Sequence, residues 1–271
     1  MSRERSLHER PAMTAFVTLD WDGRRVGIEH VFIDGPAGAP LLVFLHEGLG
    51  SVAMWKDFPQ RLCTALGLRG LVYSRPGYGR STARPLDAPL APDFMHRQAH
   101  DVLPALLQAL QIHEPLVLLG HSDGGSIALL YAARFPQAVR GAVVMAPHIV
   151  VEDLSITSIE AARQAWATTD LPQKLARYHD DAESTFRGWN DIWLSPAFRG
   201  WDIRGELSTI SCPLLALQGV DDEYGTLAQI RGIAQQVPQT QLLELPACGH
   251  SPHRDQPEAV IEAVGSFMKL L

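Results

Sequence analysis

Apolar residues along the chain fall into two kinds of run. Short blocks rich in Val, Leu and Ile recur at 40–45, 70–73, 115–119, 141–145 and 213–217, each bounded by turn residues, and continuous runs of this length suit strands buried on both faces. Between them, stretches at 52–66, 94–110, 122–135, 226–236 and 257–270 carry apolar residues at helical spacing. The alternation predicts a parallel sheet with helices on both faces. Ahead of it, residues 14–20 and 25–33 alternate apolar and polar positions around Asp22-Gly23, the pattern of an antiparallel edge hairpin. The sheet is therefore expected to be mixed, with its parallel part following the hairpin.

From about His148 to Gly205 the rhythm fails. This stretch is helical in composition, holds Trp166, Trp189, Trp193 and Trp201, and has no convincing strand. It reads as a helical lid, residues 148–205, inserted into a core domain made of 1–147 and 206–271. The tryptophans are expected to form a small apolar core within the insertion, with some reaching substrate.

Composition narrows the function classes. With 271 residues, 46% hydrophobic and 20% charged, the chain can bury one substantial core, and disordered and fibrous classes lose their weight. A formal net charge of −7 without any long Lys/Arg block argues against a nucleic-acid partner. Three scattered cysteines, Cys63, Cys212 and Cys248, read as reduced structural thiols, as in a cytoplasmic protein. Residues 1–13 carry charge and no following apolar stretch, so neither a secretory signal nor a membrane anchor is expected. The expected partner is a small-molecule substrate.

The candidate chemistry starts at Gly120-His121-Ser122-Asp123-Gly124, a G-x-S-x-G sequence. The pattern is short, so context decides. A buried strand at 115–119 precedes it and a helix follows, which puts Ser122 in the turn between them; the glycines allow strained dihedrals and close helix–strand approach. A serine hydroxyl needs a neighbouring imidazole to take its proton. His250 qualifies among the 11 histidines, because it follows a last strand at 242–245, at the edge where Ser122 should lie. The imidazole in turn needs a carboxylate, and Asp221 and Asp222, after the strand at 213–217, are the candidates. Cys248, His250 and His253 lack a second group of soft ligands, so no metal site is expected. His96 and His100 stand one helical turn apart without the glutamate of a zinc-protease signature, and read as a solvated face.

With these residues in hand, the chain resembles the lidded serine-hydrolase branch of the α/β-hydrolase superfamily, from about Thr14 to the end. The resemblance implies the α/β-hydrolase fold, a mostly parallel central sheet with helices on both faces and a helical lid. It selects Asp222, three residues after Gly219, as the acid beside Ser122 and His250. It also implies an oxyanion hole from the backbone N–H groups of Gly48, in the loop His46-Glu-Gly-Leu-Gly50, and Asp123. Glu47 stands where glycine is common, and must point away from the developing oxyanion, toward Arg75 or Arg80. Ser74 stands where aspartate is common and reads as structural. The implied activity is hydrolysis of a carboxylic ester through an acyl-enzyme, without a cofactor; lactone and carbon–carbon hydrolysis use the same residues.

Two rivals differ in class. Gly48-Leu-Gly-Ser-Val-Ala53 is a G-x-G-x-x-A sequence after a strand, as in an NADP site, but it leaves Ser122 and His250 unexplained. A ligand receptor of the same fold would keep the residues without turnover.

Overall fold

A computed structural model describes residues 14–271; the expectation for residues 1–13 lies outside the described residues. The eight strands are β1 (Ala15–Trp21), β2 (Arg24–Ile33), β3 (Leu41–Leu45), β4 (Arg69–Tyr73), β5 (Leu116–His121), β6 (Val139–Met145), β7 (Leu214–Gly219) and β8 (Thr240–Leu245). They form one sheet in the order β1-β2-β4-β3-β5-β6-β7-β8. β1 and β2 are antiparallel, β2 is antiparallel to β4, and every later pairing is parallel. Asp22 (φ 54°) and Gly23 (φ 69°) make the hairpin turn, both in the left-handed region that a two-residue hairpin turn requires.

β3 and β5 are fully buried runs whose side chains alternate between two apolar layers. Leu118 faces one layer, together with Ile127 and Leu130 of the helix Asp123–Arg134. Val117 and Leu119 face the other, with Leu62 of the helix Phe58–Leu66 and Val264 of the helix Pro257–Met268. The helix Asp123–Arg134 has 10 of its 12 residues buried, as expected of a helix apolar on all sides.

The strand order positions the site. β3 has β4 on one side and β5 on the other, so the chain leaves the carboxyl ends of β3 and β5 in opposite directions. A crevice at such a reversal is where open α/β sheets bind ligands. The loop starting at His46 and the turn at Ser122 both open there, with Leu45 registered opposite Gly120.

Several boundaries differ from the sequence expectation. The expected helix over 52–66 is a 3-10 turn, Ala53–Trp55, and a separate helix from Phe58, broken at Lys56 (φ 54°). The helix beginning at Phe94 widens into a π turn over Gln98–Val102 before Leu103–Ala109; Pro104 has no N–H to give the preceding turn. Between β6 and β7 lie the helices Asp153–Thr168, Leu171–Leu175, Ala182–Trp193 and Arg204–Leu207. Their Phe186, Trp189, Trp193 and neighbouring Trp201 do not close on themselves: they join one apolar cluster with the sheet's own Leu118 and Val144. Trp166 stacks on Phe186 at 4.2 Å between ring centroids.

Close backbone approach fixes the elbow between β5 and its helix. A Cβ on Gly124 would stand 2.0 Å from the Leu45 carbonyl oxygen, and one on Gly120 2.1 Å from that of Gly124. Both are backbone contacts that no rotamer change relieves. Gly124→Ala should therefore lower the unfolding free energy by about 3 kcal/mol or more, at or beyond the upper end of ordinary overpacking, in urea denaturation. Gly200→Ala, with no heavy atom within 4 Å of the added carbon, should leave it nearly unchanged.

Candidate active site

Ser122 sits at φ 54°, ψ −122° between β5 and the helix Asp123–Arg134. Such a conformation is strained for a residue with a side chain. It is held by the Ser122 N–H donating to the Met145 carbonyl at 2.9 Å, and by the Ser122 carbonyl accepting from Gly125 and Ser126. The result points Oγ out of the strand end toward the loop after β8. There His250 Nε2 lies 2.9 Å from Ser122 Oγ, and His250 Nδ1 lies 2.8 Å from Asp222 Oδ1. Since a carboxylate can only accept, Nδ1 carries the proton and Nε2 is left to accept from the hydroxyl.

Asp222 is fixed before it meets the histidine. Its Oδ1 accepts from the amides of Tyr224 at 2.8 Å and Gly225 at 3.2 Å, and Oδ2 from the Gln218 side chain at 3.0 Å. Burial alone would raise this carboxyl, but the His250 hydrogen bond, its charge and the Tyr224 amide outweigh it and hold Asp222 below the usual carboxylate range. Asp221, the other candidate, is exposed and uses its N–H on the Cys248 carbonyl.

Of the two residues expected to form an oxyanion hole, Gly48 lies in the loop after β3 and Asp123 at the start of the helix after Ser122. Among the described residues neither the Gly48 nor the Asp123 N–H has a protein acceptor. Gly48 is covered by Trp189: a Cβ there would fall 2.2 Å from the indole Nε1, so only glycine fits. His46 carries the loop. Its Nδ1–H donates to the Glu47 carbonyl at 2.7 Å and its Nε2 accepts from the Arg75 N–H at 3.0 Å. That pair of bonds needs a neutral ring, and burial, followed by the Arg75 charge, pushes His46 well below the ordinary histidine range.

Glu47 does turn away from the crevice, but not toward Arg75 or Arg80. Its carboxylate faces His121 Nδ1 at 3.5 Å and Arg254 Nη2 at 3.6 Å. Burial would raise it, yet the His121 and Arg254 contacts hold it well below the usual carboxylate range. Arg75 is occupied by backbone, donating to the carbonyls of His46 and Glu47 at 3.0 Å each. Arg80 gives its N–H to Glu29 at 2.9 Å. His121 Nε2–H donates to the His250 carbonyl at 2.7 Å, so the residue before Ser122 also braces the histidine loop. Ser74 is structural, donating to the buried Glu29 carboxylate at 2.7 Å and accepting from the Val52 N–H at 2.9 Å. His96 and His100 are not a solvated face: both are half-buried, with His96 Nε2 2.8 Å from Glu206 and His100 edge-on to Phe135.

Three features had no clear sequence signal. The Asp123 side chain is 1% exposed, its two oxygens lack hydrogen-bond partners, and Arg75 Nη2 is 4.0 Å away. Burial raises this carboxyl above its ordinary value, and the Arg75 charge offsets that only in part. His148 lies 5.8 Å from the His250 ring, against Trp193 at 4.8 Å. His179, in the segment after β6, accepts from the Gly79 N–H and donates to the Leu49 carbonyl, both at 2.9 Å, and so ties that segment to the oxyanion loop. Cys63, Cys212 and Cys248 are free and buried. No cluster of metal-ligating side chains occurs among the described residues, and none of their helices is long and apolar enough to cross a membrane.

His148 gives the site a measurable pH dependence. Burial, then the charge of His250, pushes its imidazole down from 6.5 to about 3. Between those values the unfolded chain binds a proton that the folded chain refuses. Stability is thus complete above about pH 6.5 and falls as pH drops, by about 1.4 kcal/mol per pH unit for this one group. Urea denaturation of His148→Asn across pH 7 to 5 should show a slope shallower by about that amount; an unchanged slope would contradict a buried neutral imidazole.

A family model described as the Alpha/beta hydrolase family matches residues 42–263. An sn-1-specific diacylglycerol lipase of Mus musculus is 27% identical over 283 residues, covering 91% of this chain and 87% of its own length. A 3-oxoadipate enol-lactonase of Acinetobacter baylyi is 26% identical over 258 residues, covering 87% of this chain and 91% of the lactonase. Among solved structures, an esterase from Thermogutta terrifontis superposes with a TM-score of 0.71 at 22% identity, over 95% of this chain and 98% of the esterase; at that identity it speaks for the fold. A match spanning β3 to the last helix, on a sheet of this order, makes the assignment: the chain belongs to the alpha/beta hydrolase family and is a hydrolase.

Proposed function

We propose that the chain hydrolyses a carboxylic ester of a small molecule through an acyl-enzyme on Ser122, with His250 as base and Asp222 as its orienting acid. The observation that carries the reading is the unbroken line of hydrogen bonds, 2.9 Å from Ser122 Oγ to His250 and 2.8 Å from His250 to Asp222. Beside it stand two backbone donors without acceptors. In the proposed cycle Ser122 Oγ attacks the carbonyl carbon as its proton passes to His250 Nε2. The N–H groups of Gly48 and Asp123 take the oxyanion, each such donor contributing about 3 kcal/mol. Collapse breaks the acyl–oxygen bond, and His250 returns the proton to the leaving alcohol. Water then gives a proton to His250, attacks the acyl carbon and releases the acid, restoring Ser122. The residues present, with one water, supply every proton and donor the cycle uses.

The helices between β6 and β7 act as a lid in this reading, since Trp189 closes on Gly48 and His179 on Leu49. The relatives support acyl chemistry but differ in the bond they cleave: one is named a diacylglycerol lipase, one an enol-lactonase and one a protein phosphatase methylesterase. Lactone hydrolysis requires the same steps with the leaving group tethered. Carbon–carbon hydrolysis of a diketone is the third option on this scaffold.

Turnover of a short-chain aryl ester with labelling by a fluorophosphonate tests the proposal. Ser122→Ala should abolish labelling, and either it or His250→Ala should reduce kcat/KM about a millionfold, with Asp222→Asn costing about ten-thousandfold. Labelling that survives in Ser122→Ala would defeat the assignment. A panel of esters, lactones and diketones then ranks the bond types.

A further inference from the structure

Away from Ser122, the hairpin turn, the loop after β4, the helix beginning at Phe94 and the helix Ala182–Trp193 enclose a cavity of about 160 Å³. An engineered cavity of about 150 Å³ holds one benzene, so the space suits a single ring or a short chain. Five arginines line it, Arg24, Arg25, Arg75, Arg84 and Arg97, against the single carboxylate of Asp22. The chain as a whole carries a formal net charge of −7, so this concentration of cations runs against the general balance.

Arg97 is answered by Asp22 and by Asp101 at 3.7 Å, and Arg75 by Asp123 at 4.0 Å, which leaves Arg24, Arg25 and Arg84 without a carboxylate contact among the described residues. Asp22 is taken by Arg97 at 3.0 Å, which also lies over the Trp21 ring at 5.1 Å. Arg75 donates to the carbonyls of His46 and Glu47, and Arg84 to those of Pro85, Ala88 and Ser184. Carbonyl oxygens orient a guanidinium without cancelling its charge. Arg24 and Arg25 are exposed at the mouth and have no carboxylate partner among the described residues. Two further lining residues hold buried polar atoms without partners, the Trp21 Nε1–H donor and the Gln98 Oε1 acceptor. The remaining wall is mostly apolar, with Tyr78, Leu90 and Phe94 prominent beside Thr82, Ser184 and Thr185.

We propose that this cavity binds a small organic anion, a ring or short chain carrying a carboxylate or phosphate, with the anionic group held by Arg24 and Arg25. Guanidinium forks match both oxyanions in two-point geometry, and a concave site of one charge sign concentrates the opposite ion. The cavity backs onto the catalytic crevice: Arg75 holds the oxyanion loop from behind, and Gly188 adjoins the Trp189 that covers Gly48. The anion is therefore either the far end of the substrate or a separate ligand. The binding itself does not depend on Ser122 being a nucleophile.

Calorimetric titration with benzoate and phenyl phosphate, with benzamide as the neutral counterpart, tests it. The wild-type protein should bind both anions more tightly than benzamide, and less tightly as salt is added. The double variant Arg24→Ala/Arg25→Ala, which alters only exposed side chains, should weaken both at least about tenfold, and Arg140→Ala, exposed on β6 and outside the cavity lining, should not. Equal affinity for benzamide and benzoate, no saturable binding of either anion, or an unaffected double variant would overturn the proposal. The source follows from repeating the titration on protein blocked by a fluorophosphonate. Benzoate binding that persists marks a separate ligand, and binding that disappears marks the substrate's end. Failure of the block would count against the Ser122 mechanism and leave the anion titration standing.

Discussion

The structure depends on one tight backbone junction, where the strand β5 turns into the helix Asp123–Arg134 against the end of β3. Ser122 occupies a left-handed backbone angle there, and the glycines on either side allow the Leu45 and Gly124 carbonyls to come within a distance no Cβ would tolerate. The junction brings together three things: a hydroxyl clear of the strand end, the first N–H groups of a helix, and the loop after β3. Because β3 and β5 are sheet neighbours whose following helices diverge, a crevice opens at that point. β7 and β8 lie farther along the same edge and deliver Asp222 and His250 to it.

Around this junction burial keeps four imidazoles neutral, and most buried carboxylates are answered. His46, His148, His179 and His253 all have their imidazoles depressed, in each case chiefly by burial. The ionised groups meet partners from distant parts of the chain: Glu47 with His121 and Arg254, Asp222 with His250. Arg75 serves as a backbone clamp on the loop after β3, donating to the His46 and Glu47 carbonyls. Asp123 is the exception, a buried carboxyl with unpartnered oxygens next to Ser122.

Much of this was legible in the sequence because it rests on short-range rules. Apolar runs at 115–119 and 213–217 lie within strands, Asp22-Gly23 makes the hairpin turn, and the residues carried by Ser122, Asp222 and His250 arrive at one edge, since the ends of parallel strands share an edge. What was not legible depends on rotamers and distant partners. Glu47 was expected at Arg75 or Arg80, but sequence spacing cannot reveal that Arg75 is already taken by two carbonyls. Lys56 breaks the helix expected over 52–66 through a positive φ that a lysine does not advertise. The tryptophans at 189, 193 and 201 merge with the sheet's core because the segment between β6 and β7 packs down onto it, and periodicity within that segment carries no record of that surface. The arginine-lined cavity likewise draws on the hairpin, the loop after β4, the helix beginning at Phe94 and a helix between β6 and β7, four segments far apart in the chain.

The central claim is that the hydroxyl at this junction becomes covalently acylated by substrate. Intact-protein mass spectrometry on samples quenched by acid during turnover of a slowly deacylated ester, followed by peptide mapping, examines it directly. The account predicts a transient gain equal to the acyl group, located on the peptide containing Ser122 and absent before substrate is added. Sustained ester turnover without any acylated protein, or an acyl group mapped to another residue, would contradict it.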